Sequence, residues 1–203
     1  MNHATKLKTL PLLIMFLATA LISKAQEDKY ANYYVCYKGM VHFFSATAME
    51  NIDATTNIAA CVLNTKSKLV SVKARQSSFV FKDKLMQEHF NENYMESEKY
   101  PFSLLSMVIV ENLDYSKDGT YDVTLKGTLE MHGVKQEREI KGKLTIKNGQ
   151  PTKATAVFMV KLADHKIKIP SVVGANIAED VKVDVDINFE KFHSVEEIGR
   201  AHV

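Results

Sequence analysis

The chain is poor in the residues and patterns that usually announce chemistry. Among 203 residues there are two cysteines, four prolines and eight glycines. No Cys-x-x-Cys, Gly-x-Ser-x-Gly or glycine-rich phosphate loop occurs, which removes the common signs of dithiol redox chemistry, a hydrolase nucleophile and nucleotide binding. No Pro/Gly/Ser-rich stretch divides the chain, so one domain with a sizeable core is expected. Beyond the N-terminus, no apolar run reaches the length a bilayer demands, so no integral membrane segment is expected in the mature chain.

What is present begins with a leader. Lys6 and Lys8 form a basic n-region, Leu10 to Ile22 an apolar h-region and Ser23-Lys24-Ala25 a small-residue cleavage site. Residues 1–25 therefore read as a secretory signal peptide, and the protein as periplasmic or secreted. No cysteine stands at the cleavage point, which argues against a lipid anchor. Loss of Lys6, Lys8 and Lys24 takes the formal charge from +2 to −1, 23 basic against 24 acidic groups. A near-neutral chain speaks against a nucleic acid partner. Export makes a Cys36–Cys61 disulfide chemically possible; two buried thiols are the alternative, and spacing does not decide between them. Ser194 to Val203 shows neither apolar period nor cap. Its last six residues are encoded by ATC GGA AGA GCA CAC GTC, which resembles a sequencing-library adapter, so this tail is expected to be an artefact and Arg200 and His202 receive no role.

The body of the chain alternates. Tyr121, Val123, Leu125, Gly127, Leu129 and Met131 interleave with polar residues, as do Ile140, Gly142, Leu144 and Ile146, then Ala154, Ala156, Phe158 and Val160, then Val181, Val183, Val185, Ile187 and Phe189. Period two predicts half-buried strands. Shorter strand candidates are Val35 to Phe44, Ile58 to Leu63, Leu69 to Ala74, Ser78 to Phe81 and Leu104 to Val110. Asp118-Gly119 and Asn148-Gly149 are hairpin signals, and His132-Gly133 reads as a strand-end turn. About eight long antiparallel segments linked mostly by tight turns favour a closed barrel over a two-sheet sandwich, because closure removes the edges and leaves an interior for a small ligand. The inward list carries no charge, so a cavity would suit an apolar guest.

One passage is helical. Between Asp83, a fitting N-cap, and Pro101, Leu85, Met86, His89, Phe90 and Tyr94 fall on one face. That face is expected to close one barrel opening as a lid. The histidines outside the leader and tail, His42, His89, His132, His165 and His193, lack the short spacing of zinc sites, and Glu96 and Glu98 sit in a polar stretch. No catalytic residue, metal or cofactor is assigned, and the chain reads as a binding protein. A structural envelope protein with a packed, dry core is the competing reading.

Several blocks together carry a family resemblance: Val41-His42-Phe43-Phe44-Ser45-Ala46-Thr47, Phe79-Val80-Phe81-Lys82, Leu85 to Glu96 followed by Tyr100-Pro101, Gly127 to Val134, and Ile167-Lys168-Ile169-Pro170. In this order they resemble the YceI-like family of bacterial periplasmic proteins over about Tyr30 to Phe192, in a form similar to those of Bacteroidetes. The resemblance implies an all-β, extended, eight-stranded lipocalin-like antiparallel barrel over residues 26–193 with one short inserted α-helix. It also implies a polyisoprenoid or other long apolar guest in the bore; whether the protein is a monomer or a homodimer is left open by the sequence. The expected ligand contacts are Phe79, Phe81, Leu85, Met86, Phe90, Tyr94, Val123, Leu125, Leu129, Phe158 and Ile169. Pro101 to Ser106 and Ala163-Asp164-His165 depart from the family pattern near strand ends.

Overall fold

The alternating segments form eight long strands that close on themselves. The structure, a computed structural model, describes residues 30–47, 51–169 and 178–193. The expected leader and the tail lie outside the described residues. In residues 34–190, one of two compact units, the strands are β1 (Tyr33–Ala46, entering from the other unit), β2 (Asn51–Asn64), β3 (Leu69–Arg75), the short β4 (Val80–Phe81), β5 (Phe102–Ile109), β6 (Gly119–Met131), β7 (Val134–Lys147), β8 (Gln150–Lys161) and β9 (Asp180–Asn188). Neighbours run β1-β9-β8-β7-β6-β5-β3-β2, and β2 returns to pair with β1. That last pairing makes an antiparallel barrel of eight strands, whereas a two-sheet sandwich would have left four edges open. In the other unit Tyr30 meets the rings of Tyr33 and Phe192 edge-on, at 5.9 and 5.0 Å.

Two tight turns match their sequence signals. His132 and Gly133 both have positive φ (52° and 71°), as do Asn148 and Gly149 (52° and 74°). Two such residues in succession match the right-handed twist of the strands they join, and β6 pairs with β7 without interruption from Gly119↔Ile146 to Met131↔Val134. Asp118-Gly119, by contrast, marks no tight turn, although β5 and β6 do pair antiparallel as expected. Nine residues separate β5 from β6, and Gly119 already belongs to β6. The loop is organised by Asp114, whose carboxylate accepts from the Ser116 N–H and hydroxyl at 3.1 and 2.6 Å.

Other differences have equally local causes. β7 begins at Val134, six residues before its apolar period, because its inward positions Gln136 and Arg138 are polar; they reach the Asp164 carbonyl (2.7 Å) and carboxylate (3.2 Å). β2 begins at Asn51 with mostly polar residues, and buried Thr56 is satisfied by the Ser78 hydroxyl at 2.7 Å. Ser78 itself ends a 3-10 turn, so only Val80–Phe81 remains a strand. The core inside the barrel includes Leu63, Leu144, Ile146 and Ile187, each no more than 2 % exposed; burying such a side chain contributes about 1.5–3 kcal/mol.

Candidate ligand-binding site

The lid is a short α-helix that continues with wider winding, and not a single continuous α-helix. Asp83 caps it by accepting from the Met86 N–H at 2.9 Å, α1 spans Lys84–His89, and Phe90–Tyr94 then continues with π-type winding, the Met95 N–H reaching back five residues to the Phe90 carbonyl at 2.9 Å. Met86, Phe90 and Tyr94, four residues apart, and Met95, brought round by the wider winding, face the inner side. Leu85, one position out of that row, faces outward and is 59 % exposed, which corrects its expected place over the opening. Beneath the lid the rings of Phe43, Phe79, Phe81 and Phe90 pack together, Phe90 lying 5.0 to 5.9 Å from the other three. Phe43 belongs to β1 and was not among the expected contacts; its alternation with Val41 and Ser45 was the signal that could have found it.

Under these rings lies a cavity of about 170 Å³, bordered by Met86, Phe90, Tyr94, Leu129, Phe158 and Val183 among others. Among the described residues no charged side chain lines it. Its polar groups are engaged: buried Gln76 donates to the Ser103 hydroxyl, and the Ser45 hydroxyl accepts from the Ala178 N–H at 3.0 Å. A second cavity, of about 60 Å³, sits deeper and is lined by Val123, Leu125, Ile140, Leu144 and Ile187. Small residues at inward positions leave this volume: Ala74 in the first chamber, Ala154 and Ala156 in the second. Of the expected contacts, Phe79, Phe81, Met86, Phe90, Tyr94, Leu129 and Phe158 therefore meet at the outer chamber, Val123 and Leu125 at the inner one. Ile169 meets neither. β8 ends in the 3-10 turn Leu162–His165, and after it Ile167, 5 % exposed, is the residue that reaches the cavity.

The inner chamber also contains Cys61. Cys36 and Cys61 are both buried free thiols, and burial, reinforced by the neighbouring Cys36, pushes the Cys61 thiol up to about 12. Such a thiol is a small apolar surface, not a nucleophile. Polar chemistry gathers instead at the lid's far end. His132 in the β6–β7 turn touches the Glu96 carboxylate through Nε2 at 2.7 Å and the His165 carbonyl through Nδ1 at 3.2 Å. The hydrogen bond from His132 holds the Glu96 carboxyl below its usual range. His165 is fully buried, its Nδ1–H donates to the Val134 carbonyl at 3.1 Å, and burial depresses its pKa. This knot ties the lid's C-terminal end to β6, β7 and the turn after β8. Among the described residues no three His, Cys, Asp or Glu side chains converge to hold a metal.

Comparison with known proteins agrees with this geometry. The family model described as YceI-like domain matches residues 33–189. No curated protein matches the chain. Among solved structures, a polyisoprenoid binding domain from Saccharophagus degradans superposes with a TM-score of 0.63 at 15% identity, covering 79% of this chain and 99% of that one. Burkholderia cenocepacia BcnA gives 0.54 at 13% identity over 75% and 96%. The Campylobacter jejuni YceI protein gives 0.51 at 17% identity over 66% and 81%. At these identities the likeness is one of fold.

Proposed function

The chain belongs to the YceI-like family, and from that premise we propose that it is a non-enzymatic carrier that holds an isoprenoid-like apolar molecule inside its barrel. The observation that carries this reading is the uncharged chamber of about 170 Å³ beneath the lid. A close-packed domain leaves few voids larger than a water molecule, and an apolar void of this size stays dry and favours an apolar occupant. Affinity would come from burial, roughly 0.8 kcal/mol per CH₂, so no charged anchor is required. The four-ring cluster and Met86 supply an adaptable apolar roof, and Asp83 and the Glu96–His132 pair hold the lid's two ends. The Saccharophagus degradans domain of the same fold is a polyisoprenoid binder by description, which supports the same guest chemistry here. The leader-like residues 1–25 support action in the periplasm or outside the cell. Among the described residues no helix is long and apolar enough to cross a membrane.

The test is to purify exported protein under non-denaturing conditions, extract it with organic solvent and identify the released lipid by mass spectrometry, alongside titration of lipid-free protein with farnesol. Isoprenoid recovered in near-stoichiometric amount, or saturable farnesol binding, is expected. Protein that carries no lipid and binds no isoprenoid alcohol would instead be a packed envelope barrel.

A further inference from the structure

The two chambers share four lining residues, Val72, Leu105, Phe158 and Val185. Their placement in the barrel gives this overlap a meaning. Val72 and Leu105 are cross-strand partners on β3 and β5. Phe158 on β8 and Val185 on β9 lie in adjacent strands, Phe158 pairing with Val183 and Val185 with Ala156. Around a closed ring ordered β1-β9-β8-β7-β6-β5-β3-β2, β8 stands diametrically opposite β3, and β9 opposite β5. The four side chains thus approach from opposite walls and form a waist between an outer space of about 170 Å³ and an inner one of about 60 Å³.

Size gives the waist its consequence. An apolar cavity of about 150 Å³ accommodates a benzene-sized molecule, so the outer chamber fits one to two isoprene units, and a longer chain has to continue into the inner chamber. Of the four waist residues, Phe158 is the largest. Its ring borders empty volume on both sides, and the wall beside it is thin: Ala154 and Ala156 precede it on β8, and Gly142, which faces Ala156 across the β7–β8 pair, adds no side chain. Resting on the carrier reading above, we infer that Phe158 is the length-determining residue, admitting guests of one to two isoprene units to the outer chamber and longer ones only when its ring is displaced from the waist.

The experiment titrates lipid-free protein with prenol, geraniol, farnesol and geranylgeraniol, so that each step adds one isoprene unit. For the unaltered chain, affinity rises to geraniol and flattens beyond it. Phe158→Ala, with Phe158→Leu as the milder form if the first is poorly folded, extends the rise, so that geranylgeraniol binds about tenfold tighter than to the unaltered chain, while geraniol changes less than about threefold. Adding Leu125→Trp, which fills the inner chamber, cancels that gain and leaves geraniol in place. Superimposable length profiles for the unaltered chain and both Phe158 variants would overturn the waist alone, since binding itself would persist. No binding of any of the alcohols by any form would overturn the waist together with the carrier reading.

Discussion

The outer and inner chambers have the same kind of lining and different construction. The inner one is built almost wholly from inward residues of regular strands, Val123, Leu125, Ile140, Leu144 and Ile187. It is nearly filled. The outer one adds to the inward residues of the strands the irregular stretch Gln76–Phe81, the lid and the turn after β8, and it holds almost three times the volume. Regular strands carry side chains at fixed spacing and interdigitate to native density. Where aromatic rings come from irregular segments and a lid, they meet at mixed angles, stacked for Phe43 and Phe90 and tilted or edge-on for the others, and leave space below them. Apolar composition by itself therefore does not make a binding site; the difference lies in whether the elements supplying the residues can close up.

That comparison can be broken most forcefully at the roof. Phe90→Asp places a carboxylate among Phe43, Phe79 and Phe81, and a loss of about 3 kcal/mol in chemical denaturation is expected, accompanied by loss of co-purifying lipid. Unchanged stability and lipid content would mean that the lid does not seat as described. Next comes the packed region. Ile146 is fully buried and borders neither chamber, so Ile146→Ala should cost about 2–4 kcal/mol while the lipid bound per folded molecule stays constant. A fall in lipid stoichiometry there would show that the two regions are not separable.

The polar knot below the lid gives a smaller effect with a defined sign. Because burial lowers the His165 pKa, the folded state binds fewer protons than the unfolded one. Its contribution is full above about pH 6.5 and declines as pH falls from there through the depressed folded value. The lowered Glu96 pKa acts in a more acidic window: its contribution is present above 4.5 and is lost as pH falls through its folded value. Thermal melts from pH 7.5 to 5 should accordingly slope downward toward acid, and His165→Gln should flatten that slope whatever it does to the melting temperature at pH 7.5. An unaltered slope would assign the acid sensitivity to other groups. The smallest expected effect is at Leu85, which faces solvent: Leu85→Ser should change stability by no more than about 0.5 kcal/mol and leave lipid retention alone. A marked loss would restore Leu85 to the inner face of the lid.

The barrel was legible because alternation is a local property. Val123-Thr124-Leu125 or Val183-Asp184-Val185 can place alternate side chains inside only as strands, and paired turn residues such as Asn148-Gly149 specify where the chain reverses. The lid's cap at Asp83 and its inner residues Met86, Phe90 and Tyr94 were legible for the same reason. What escaped depended on distant partners. The first half of β7 reads as polar until Asp164, on the turn after β8, is seen to receive Gln136 and Arg138. Leu85 and Met86 are neighbours of similar hydrophobicity in the first turn of the lid, and only the way the helix seats on the barrel separates the exposed one from the half-buried one. Ile167 and Ile169 differ by the course of a single 3-10 turn. The sequence by itself thus determined the strands, their inward faces and the apolar character of the interior, since each follows from the spacing of residues along the chain. Only the tertiary structure decided that the interior divides at Val72, Leu105, Phe158 and Val185, because a waist exists when opposite walls meet across a closed ring, a distance no local pattern encodes.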